Sequence, residues 1–478
     1  MAKIRFTIGV APAAIFCLGL SALISPILEG QDQDRTFTDL PPLRKLAFQE
    51  DARGYQDLQN SPRLLEQIKF VQLGDSPDNF ISFGGLIRQR YEYLENPDFG
   101  ETVQDDDGAW LQRYMAHGDL YYGDRFRAFV QLISAVVVGR ETGPSPVDDN
   151  HLDFLNAFVD LKVVDAGESE VTVRAVRQEL EFGSGRLVDA REGPNVRRTF
   201  DAARLLSTIP SWRIDALFGR PVETREGVFD DVTNNDQSLW GVYATADAGL
   251  LPIGHLDVYY LGYQNNESTY TIGTAKETRH TLGTRFFGTS HNFDWNWEAM
   301  FQFGDFGSDE ILAWSIATDT GYTVDQWAWT PRFAINANVA SGNRDPDSSR
   351  LNTFNPLYPR GNYFSDAAIL GPRNFFNLHP FVTVSPTDDW EITADVNFFW
   401  RLETTDGVYS PSGQIIRAGL ESNERYVGTA FSLNTSYALT RELSFTAIYS
   451  HFAPGSFIED TGPSQSLDFF EVTIQFRF

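Results

Sequence analysis

The chain has one cysteine, and only five of its 38 basic residues are lysine. Because Cys17 lies in the N-terminal apolar stretch, the rest of the chain offers no thiol for a disulfide bond, a Cys–zinc site or a cysteine nucleophile. The formal net charge of −27 argues against a nucleic-acid partner, which requires a basic stripe. The composition therefore predicts an exported protein that binds no nucleic acid.

Catalytic and nucleotide motifs are also missing. The seven histidines form no HExxH pair, no GxSxG elbow occurs, and "EFGSGRL" lacks the lysine of a phosphate loop. We therefore expect no enzyme activity, no metal, no cofactor and passive transport. A catalytic site assembled across strands, for instance from His255, Asp257 and a serine, is the alternative.

Residues 1–30 combine Lys3 and Arg5 with an apolar run that ends in small residues, which is typical of a secretory signal peptide. An uncleaved membrane anchor is the alternative, because the run is long enough to span a bilayer. Beyond it, no apolar run approaches the roughly 18 residues that a spanning helix needs. Any membrane insertion must then use β-strands.

From Phe80 onward, short segments alternate apolar and polar residues, separated by Gly, Pro, Asn and Asp clusters. In "FDWNWEAMFQF" Trp297 and Phe301 fall on one face, and Glu298 and Gln302 on the other. A soluble half-buried sheet would also alternate, but aromatic residues at segment ends favour a membrane barrel. The pattern predicts an all-β fold: an up-and-down antiparallel transmembrane β-barrel of about 18 strands over residues 80–478, after a periplasmic lead-in over residues 31–79.

If the apolar residues face lipid, the opposite register faces the pore. This register predicts the following lumen residues: Arg88, Arg90, Arg113, Arg127, Arg177, Glu179, Arg213, Asp215, Arg279, Arg285, Arg332, Arg401 and Arg477. Guanidinium groups bind carboxylates bidentately and suit an acidic polymer. A network of salt bridges that only stiffens the wall is the alternative for each of them.

Several sequence blocks resemble the bacterial alginate export family, whose members are 18-stranded outer-membrane barrels. The resemblance runs from about Leu65 to the C-terminus and is carried by "LEQIKFVQL", "FISFGGLIRQRYEYLENP", "LQRYMAHGDL", "RQELEFGSGRLVDAREGPNVRRTFDAARL", "RHTLGTRFFG" and "HFAPGSF". It implies pore roles for Lys69, Arg88, Arg90, Arg113, Arg177, Glu179, Asp201, Arg204 and Arg285. On a regular strand, however, Asp201 and Arg204 would lie on opposite faces unless a bulge intervenes.

The resemblance implies a channel in the outer membrane of a Gram-negative bacterium with an electropositive, anion-selective pore. The expected cargo is an acidic, alginate-like polysaccharide or its oligosaccharides. Outer-membrane lipid and secretion components of the periplasm and inner membrane are the other expected partners. A less selective porin for small anions or other nutrients is the alternative.

Three further features qualify this expectation. Residues 183–198 form a Gly-punctuated connection whose arginines are predicted at a pore mouth. The loop over residues 341–363 is predicted either to fold into the mouth as a constriction or to stay exposed. Ala430 and Ser432 stand where the family tends to place acidic residues.

Overall fold

The computed structural model describes residues 40–58, 61–105, 107–246, 251 and 253–478. The signal peptide predicted for residues 1–30 lies outside this range, and so does the first part of the predicted lead-in, residues 31–39. Within the described ranges, no helix is both long and apolar enough to cross a membrane.

Eighteen strands form a closed antiparallel barrel in which each strand pairs with the next along the chain. The strands are β1 Phe80–Glu95, β2 Ala109–Tyr122, β3 Phe126–Val138, β4 Asn150–Ala166, β5 Ser169–Gln178, β6 Phe200–Ile209, β7 Trp212–Glu223, β8 Gln237–Ala246, β9 His255–Tyr270, β10 Gly273–Ser290, β11 Phe293–Phe306, β12 Asp309–Thr323, β13 Arg332–Ala340, β14 Phe375–Thr387, β15 Trp390–Trp400, β16 Tyr426–Ala438, β17 Leu443–Pro454 and β18 Leu467–Arg477. The predicted fold class and the predicted strand number are confirmed.

Shorter elements lie in the connections. The helices are α1 Leu64–Gln67, α2 Pro97–Gly100 and α3 Ser456–Thr461, the 3-10 turns are Ala47–Gln49, Ala52–Leu58 and Gly419–Glu421, and the two- or three-residue strands are Val71–Gln72, Val232–Thr233, Arg350–Leu351, Val408–Tyr409 and Ile415–Arg417.

The barrel closes between β1 and β18, with Leu86 opposite Arg477 and Glu95 opposite Asp468. At the seam, the backbone of Gly85 exchanges two hydrogen bonds with Phe478, of 2.8 and 3.0 Å. A Cβ on Gly85 would come within 2.5 Å of the Met115 carbonyl oxygen, so the closure requires a glycine at this position.

The two faces of the wall follow the predicted alternation. On β11, Trp297 and Phe301 are 44% and 45% exposed toward the outside, whereas Glu298 and Gln302 are buried toward the lumen. An outward apolar band and a polar interior are the properties of a barrel whose solvent is lipid on one side and water on the other.

The two ends of the barrel differ in the length of their connections. Connections such as 167–168 and 291–292 lie at one end, which we call the short-turn end; the connections 179–199, 341–374 and 401–425 lie at the other, the long-loop end. Outer-membrane barrels have short periplasmic turns and longer extracellular loops, which orients the short-turn end toward the periplasm.

Part of the predicted lead-in lies against inner side chains at the short-turn end. In the N-terminal segment, residues 40–58, the ring of Phe48 packs edge-on against Phe129 of β3 and Phe158 of β4, with centroid distances of 5.9 and 5.4 Å. The guanidinium of Arg127 donates to the Phe48 carbonyl oxygen at 2.7 Å. The segment thus narrows this end of the lumen.

Candidate functional site

The connection over residues 179–199, here called the arginine loop, folds into the lumen. Its tip, residues 192–195, lies against β1 and β2. The Asn195 side-chain amide donates to the carbonyl oxygens of Gln112 and Asp148 at 3.1 and 2.9 Å. On the other side Arg186 forms an ion pair with Glu298 of β11 at 2.9 Å, so the loop spans the lumen between β1 and β11.

Three predicted lumen arginines anchor this tip: Arg88, Arg113 and Arg90, whose guanidinium donates to the Gly193 carbonyl oxygen at 2.7 Å. Arg88 donates to the carbonyl oxygens of Glu192 and Pro194 at 3.0 and 3.3 Å. Arg113 donates to the Asn195 carbonyl oxygen at 2.8 Å and forms an ion pair with Glu192 at 2.8 Å. The Arg88 and Arg113 side chains are almost fully buried, and all their guanidinium nitrogens except the Nε of Arg88, which has no acceptor, donate to the loop.

The base of the arginine loop is closed by a buried ion pair. The Arg197 Nε lies 2.7 Å from Glu179 and 3.3 Å from Glu192, and the side chains of Arg197 and Glu179 have no exposed surface. Arg197 also donates to the Lys45 carbonyl oxygen at 3.0 Å, which ties the N-terminal segment to the loop. Burial without these partners would be costly, so the cluster fixes one loop conformation.

The connection over residues 341–374, here called the long loop, pairs with the arginine loop inside the barrel. The Tyr358 amide donates to the Leu187 carbonyl at 2.8 Å, and the Asp189 amide donates to the Tyr358 carbonyl at 3.0 Å. Of the two predictions for this loop, the constriction matches its position.

The long loop is anchored to β10 and β11. Arg279 donates to the Thr353 carbonyl oxygen at 3.2 Å and pairs with Glu277, and both side chains are fully buried. Gln302 on β11 exchanges hydrogen bonds of 2.7 and 2.9 Å with the backbone of Asn355. Arg279 is thus an anchor for the long loop, as Arg88 and Arg113 are for the arginine loop.

A second set of arginines projects from the barrel wall, and each one is neutralised by an acid on the wall. These wall arginines and their partners are Arg90 with Glu471 (3.2 Å), Arg127 with Asp119 (2.7 Å), Arg204 with Asp215, Arg285 with Asp257 (2.9 Å) and Arg332 with Asp294 (2.5 Å) and Asp319 (3.0 Å). These pairs are the cross-strand salt bridges expected if the arginines stiffen the wall.

A third set lies where the two loops meet: Arg191, Arg198 and Arg360, here called the loop arginines. None of them forms an ion pair with a carboxylate of the described chain, and each is partly exposed. Arg198 donates to the Pro359 carbonyl at 3.2 Å, and Arg191 to the Val196 carbonyl at 3.3 Å. The Nε atoms of Arg191 and Arg360 are buried without a hydrogen-bond acceptor.

The pKa values of the three loop arginines are lowered. Burial and the neighbouring charge of Arg198 lower the pKa of Arg191 to about 9, and burial lowers the pKa values of Arg198 and Arg360. A guanidinium stays protonated at neutral pH, so the lowered pKa values report cations whose desolvation is only partly offset by Asp189 and which lack a second compensating anion. An anionic ligand would supply one.

The largest cavity of the lumen, about 1080 Å³, runs beside the arginine loop along β1 and β18. It extends from Thr102 and Asp366 at the long-loop end, past Arg90 and Glu471, to Arg477 at the short-turn end. Its ionisable lining comprises the bases Lys45, Arg88, Arg90, Arg140 and Arg477 and the acids Glu92, Glu101, Asp105, Asp148, Glu192, Asp366 and Glu471. A second cavity of about 490 Å³ lies at the short-turn end and is lined by Arg127, Arg213 and Asp215.

The remaining predicted residues lie at different depths. Arg213 is exposed in the second cavity, and Lys69 is buried at the short-turn end, 2.7 Å from Glu50. Arg401 follows β15 and donates to the carbonyl oxygens of Thr404 and Gly419 at 3.0 and 2.9 Å, which folds the connection 401–425.

Arg177 and Asp201 occupy a position that differs from the lumen placement expected for them. The pairing of β5 with β6 is unbroken, so Asp201 lies on the face opposite Arg204, whose guanidinium lies over the Phe182 ring of the arginine loop. Arg177 pairs with Asp201 at 3.0 Å, and the Thr233 hydroxyl donates to Asp201 at 2.5 Å. No bulge returns Asp201 to the inner face.

Of the loop arginines, Arg191 and Arg198 were predicted at a pore mouth, whereas Arg360 was not predicted as a site residue. Arg191 and Arg198 belong to the connection predicted to border the pore, and Arg360 belongs to "YPRGNY" in the long loop. Period-two alternation applies only to strands and so carries no information about loops. The usable signal was arginine in Gly- and Pro-rich connections, although Asp189 and Glu192 flank Arg191 in sequence.

The family model for alginate export matches residues 79–471. The chain belongs to the alginate export family. No curated protein matches it in sequence.

Solved structures with the same fold are outer-membrane channels. OccK11 of Pseudomonas aeruginosa is 11% identical with a TM-score of 0.54, and the match covers 85% of this chain and 98% of that one. OccAB1 of Acinetobacter baumannii is 12% identical with a TM-score of 0.54, covering 83% and 96%. OccK2 of P. aeruginosa, solved in complex with glucuronate, is 10% identical with a TM-score of 0.55, covering 83% and 98%.

This alginate-export barrel is therefore an outer-membrane channel. His255 and Asp257, considered above as parts of a catalytic site, contact other side chains. Asp257 accepts hydrogen bonds from Tyr243 at 2.7 Å and from Arg285 at 2.9 Å, and the His255 ring stacks on Phe287.

Ala430 and Ser432 of β16 are small residues buried on its inner face. Ala430 is buried in the same apolar cluster as Phe457 and Ile458 of α3, and the Gly455 amide that precedes α3 donates to the Val427 carbonyl at 2.8 Å. The small side chains leave room for α3 to fold against the inner face of β16.

Proposed function

We propose that this alginate-export barrel is a passive, anion-selective channel for an acidic polysaccharide or its oligosaccharides. The observation that carries the proposal is the trio of loop arginines, which lack carboxylate partners where two loops meet inside the lumen. In the proposal, sugar carboxylates passing this point replace the missing anions.

The chemistry of a polyuronate fits such a site. Each sugar unit carries one carboxylate, which a guanidinium fork can bind bidentately. Three partly exposed guanidinium groups would bind successive carboxylates, and a series of single contacts of this kind allows release from each one. The neighbour OccK2 was solved with glucuronate, itself a carboxylated sugar.

Conductance through a planar bilayer tests the proposal. We expect an oligouronate to block the chloride current of the wild-type channel at concentrations where a neutral oligosaccharide of equal length does not. The triple variant Arg191→Gln, Arg198→Gln, Arg360→Gln should lose the block and shift the reversal potential toward cations.

Arg225→Gln is the matched control, because Arg225 is exposed in the connection 224–236 at the long-loop end. It should block as the wild type does. An unchanged oligouronate block in the triple variant would overturn the assignment of the loop arginines.

A less selective porin is the second candidate, and the lining of the largest cavity favours it. The acids there outnumber the bases, seven to five, so solutes on this route would meet little net positive charge. Ready passage of both small anions and neutral sugars without oligouronate block would support the porin over the polymer channel.

In this function the protein is a conduit and performs no catalytic step. Transport would be driven by the gradient of the saccharide or by partners in the periplasm and inner membrane. If the protein belongs to a secretion assembly, such components should copurify with the tagged full chain. Charge changes at the short-turn end should weaken this copurification.

A further inference from the structure

Three carboxylates converge at the long-loop end, away from the loop arginines. Asp153 lies near the start of β4, and Asp230 and Asp231 lie in the connection 224–236. One oxygen from each carboxylate lies within 4.8 Å of the others. Ligands on opposite sides of a Ca²⁺ ion, each 2.3–2.6 Å from it, stand about this far apart.

The connection 224–236 is docked on β4 by its backbone, so the cluster is built into the fold. The His151 amide donates to the Glu226 carbonyl oxygen at 3.1 Å, and the Phe229 amide donates to the Leu152 carbonyl oxygen at 2.9 Å. These bonds hold the two halves of the cluster in place.

A fourth oxygen atom beside the cluster, the side-chain Oδ1 of Asn150, has no hydrogen-bond donor among the described residues. Asn150 has no exposed surface, and its amide nitrogen donates to Asp231 Oδ2 at 2.9 Å, which places the amide group beside the carboxylates. The Asn150 carbonyl oxygen has no hydrogen-bond donor among the described residues, and neither does the buried Oδ1 of Asp230. Buried acceptors are normally satisfied, so these two atoms call for a cation or an equivalent donor.

The charge of the cluster points the same way. Among the described residues, Arg177 supplies the only guanidinium bound to these carboxylates, 3.3 Å from Asp153, and it is shared with Asp201. The amides of Phe154 and Asp231 donate to Asp153 and that of Arg225 to Asp231, but no second cationic side chain of the described residues pairs with the three aspartates. An all-oxygen ligand set of this charge suits a hard divalent cation, and an irregular set of side chains suits Ca²⁺ better than the strictly octahedral Mg²⁺.

We infer that Asp153, Asp230, Asp231 and the Asn150 carbonyl oxygen form a Ca²⁺ site that fastens the connection 224–236 to β4. The site lies beside β5, which pairs with β4 and ends at Gln178, where the arginine loop turns inward. This inference does not depend on the proposed cargo.

Calorimetric titration of CaCl₂ into the full chain, folded in detergent free of lipopolysaccharide, tests it. We expect one site with a Kd of about 10⁻⁴–10⁻³ M, the range of extracellular calcium modules. Asp230→Asn should weaken binding roughly tenfold or more, because a charged ligand is lost. Glu226→Gln, which removes an exposed carboxylate of the same connection, should bind as the wild type does.

Trypsin supplies a second readout that needs no variant. Arg225 is exposed, and its amide donates to Asp231 Oδ1 at 2.7 Å, so Ca²⁺ should slow cleavage after Arg225. Absence of binding and of protection in the wild type would overturn the inference, and so would wild-type affinity in an Asp230→Asn variant whose circular dichroism shows a folded barrel.

Discussion

The wall arginines and the loop arginines are the same residue type in the same lumen, yet their surroundings differ. Arg285 on β10 has Asp257 on the adjacent strand at 2.9 Å, whereas Arg360 on the long loop has no carboxylate partner in the described chain. In a barrel, acids and bases on neighbouring strands meet in register, so wall charges are easily paired. The loop arginines lie away from that register and have no ion-pair partner, whereas Arg186 of the arginine loop still reaches Glu298 on β11 at 2.9 Å.

The anchoring arginines offer the strongest way to test this contrast. Arg113→Ala should release the tip of the arginine loop and raise single-channel conductance several-fold, because Glu192 and the tip carbonyls lose their donor. Removing one partner of a buried pair costs about 3–5 kcal/mol, so thermal stability should fall as well. Arg332→Ala, a half-exposed wall position, serves as the control and should leave conductance nearly unchanged. Wild-type conductance in Arg113→Ala would show that other contacts hold the loop.

Selectivity should follow the loop arginines and not the wall arginines. Arg360→Gln alone is expected to shift the reversal potential in a salt gradient toward cations, with the unfolding temperature unchanged, since no ion pair is broken. Arg332→Gln changes the same formal charge in a position paired with Asp294 and Asp319 and should shift it less. Equal shifts in the two variants would remove the distinction between the sets.

Stability should show the reverse order. Arg285→Ala leaves the buried Asp257 without its cation and should destabilise the barrel by about 1–3 kcal/mol. The double variant Arg285→Ala, Asp257→Ala should recover part of that loss, giving a coupling energy of about 0.5–3 kcal/mol in denaturant unfolding. Strict additivity would mean that the pair contributes no interaction energy.

The smallest expected effect concerns pH. Burial raises the pKa of Glu192, but Arg197, Arg113 and Arg88 more than offset it and hold the pKa well below its usual value of 4.5. A carboxyl with a depressed pKa in the folded state stabilises the fold above its unfolded pKa and loses this contribution as the pH falls below it. Conductance should thus stay constant from neutral pH to about 5 and rise in stronger acid as the loop tip loosens. Glu192→Gln should lack this acid transition; an identical transition in that variant would assign it to another group.

Most of the fold could be predicted from the sequence. The alternation in "FDWNWEAMFQF" correctly gave the outward and inward faces of β11, and recurrence of such segments gave the strand number, because a strand between lipid and water must alternate. The candidate site could be predicted only in part. Alternation places Arg285 and Arg332 on the inner face, but it cannot show that acids on adjacent strands neutralise them, since that depends on cross-strand register.

Arg177 and Asp201 show a second limit of prediction from strand alternation. Arg177 was expected in the lumen from the strand register it shares with Glu179. Asp201 was expected there from the motif it shares with Arg204, although a spacing of three residues cannot satisfy one face of a regular strand. The sequence contains this conflict, but only the pairing of β5 with β6 resolves it.

By itself, the sequence determined a membrane barrel with guanidinium groups on its inner face, because lipid and water impose a period of two on every strand. Which of those groups are neutralised, which anchor a loop and which stay available to an anion was decided by the tertiary structure. The arginine loop and the long loop are separated by more than 140 residues in sequence and meet only inside the closed barrel, through the hydrogen bonds of Tyr358 with Leu187 and Asp189. Contacts between such distant segments arise from closure of the sheet, and no local pattern of residues encodes them.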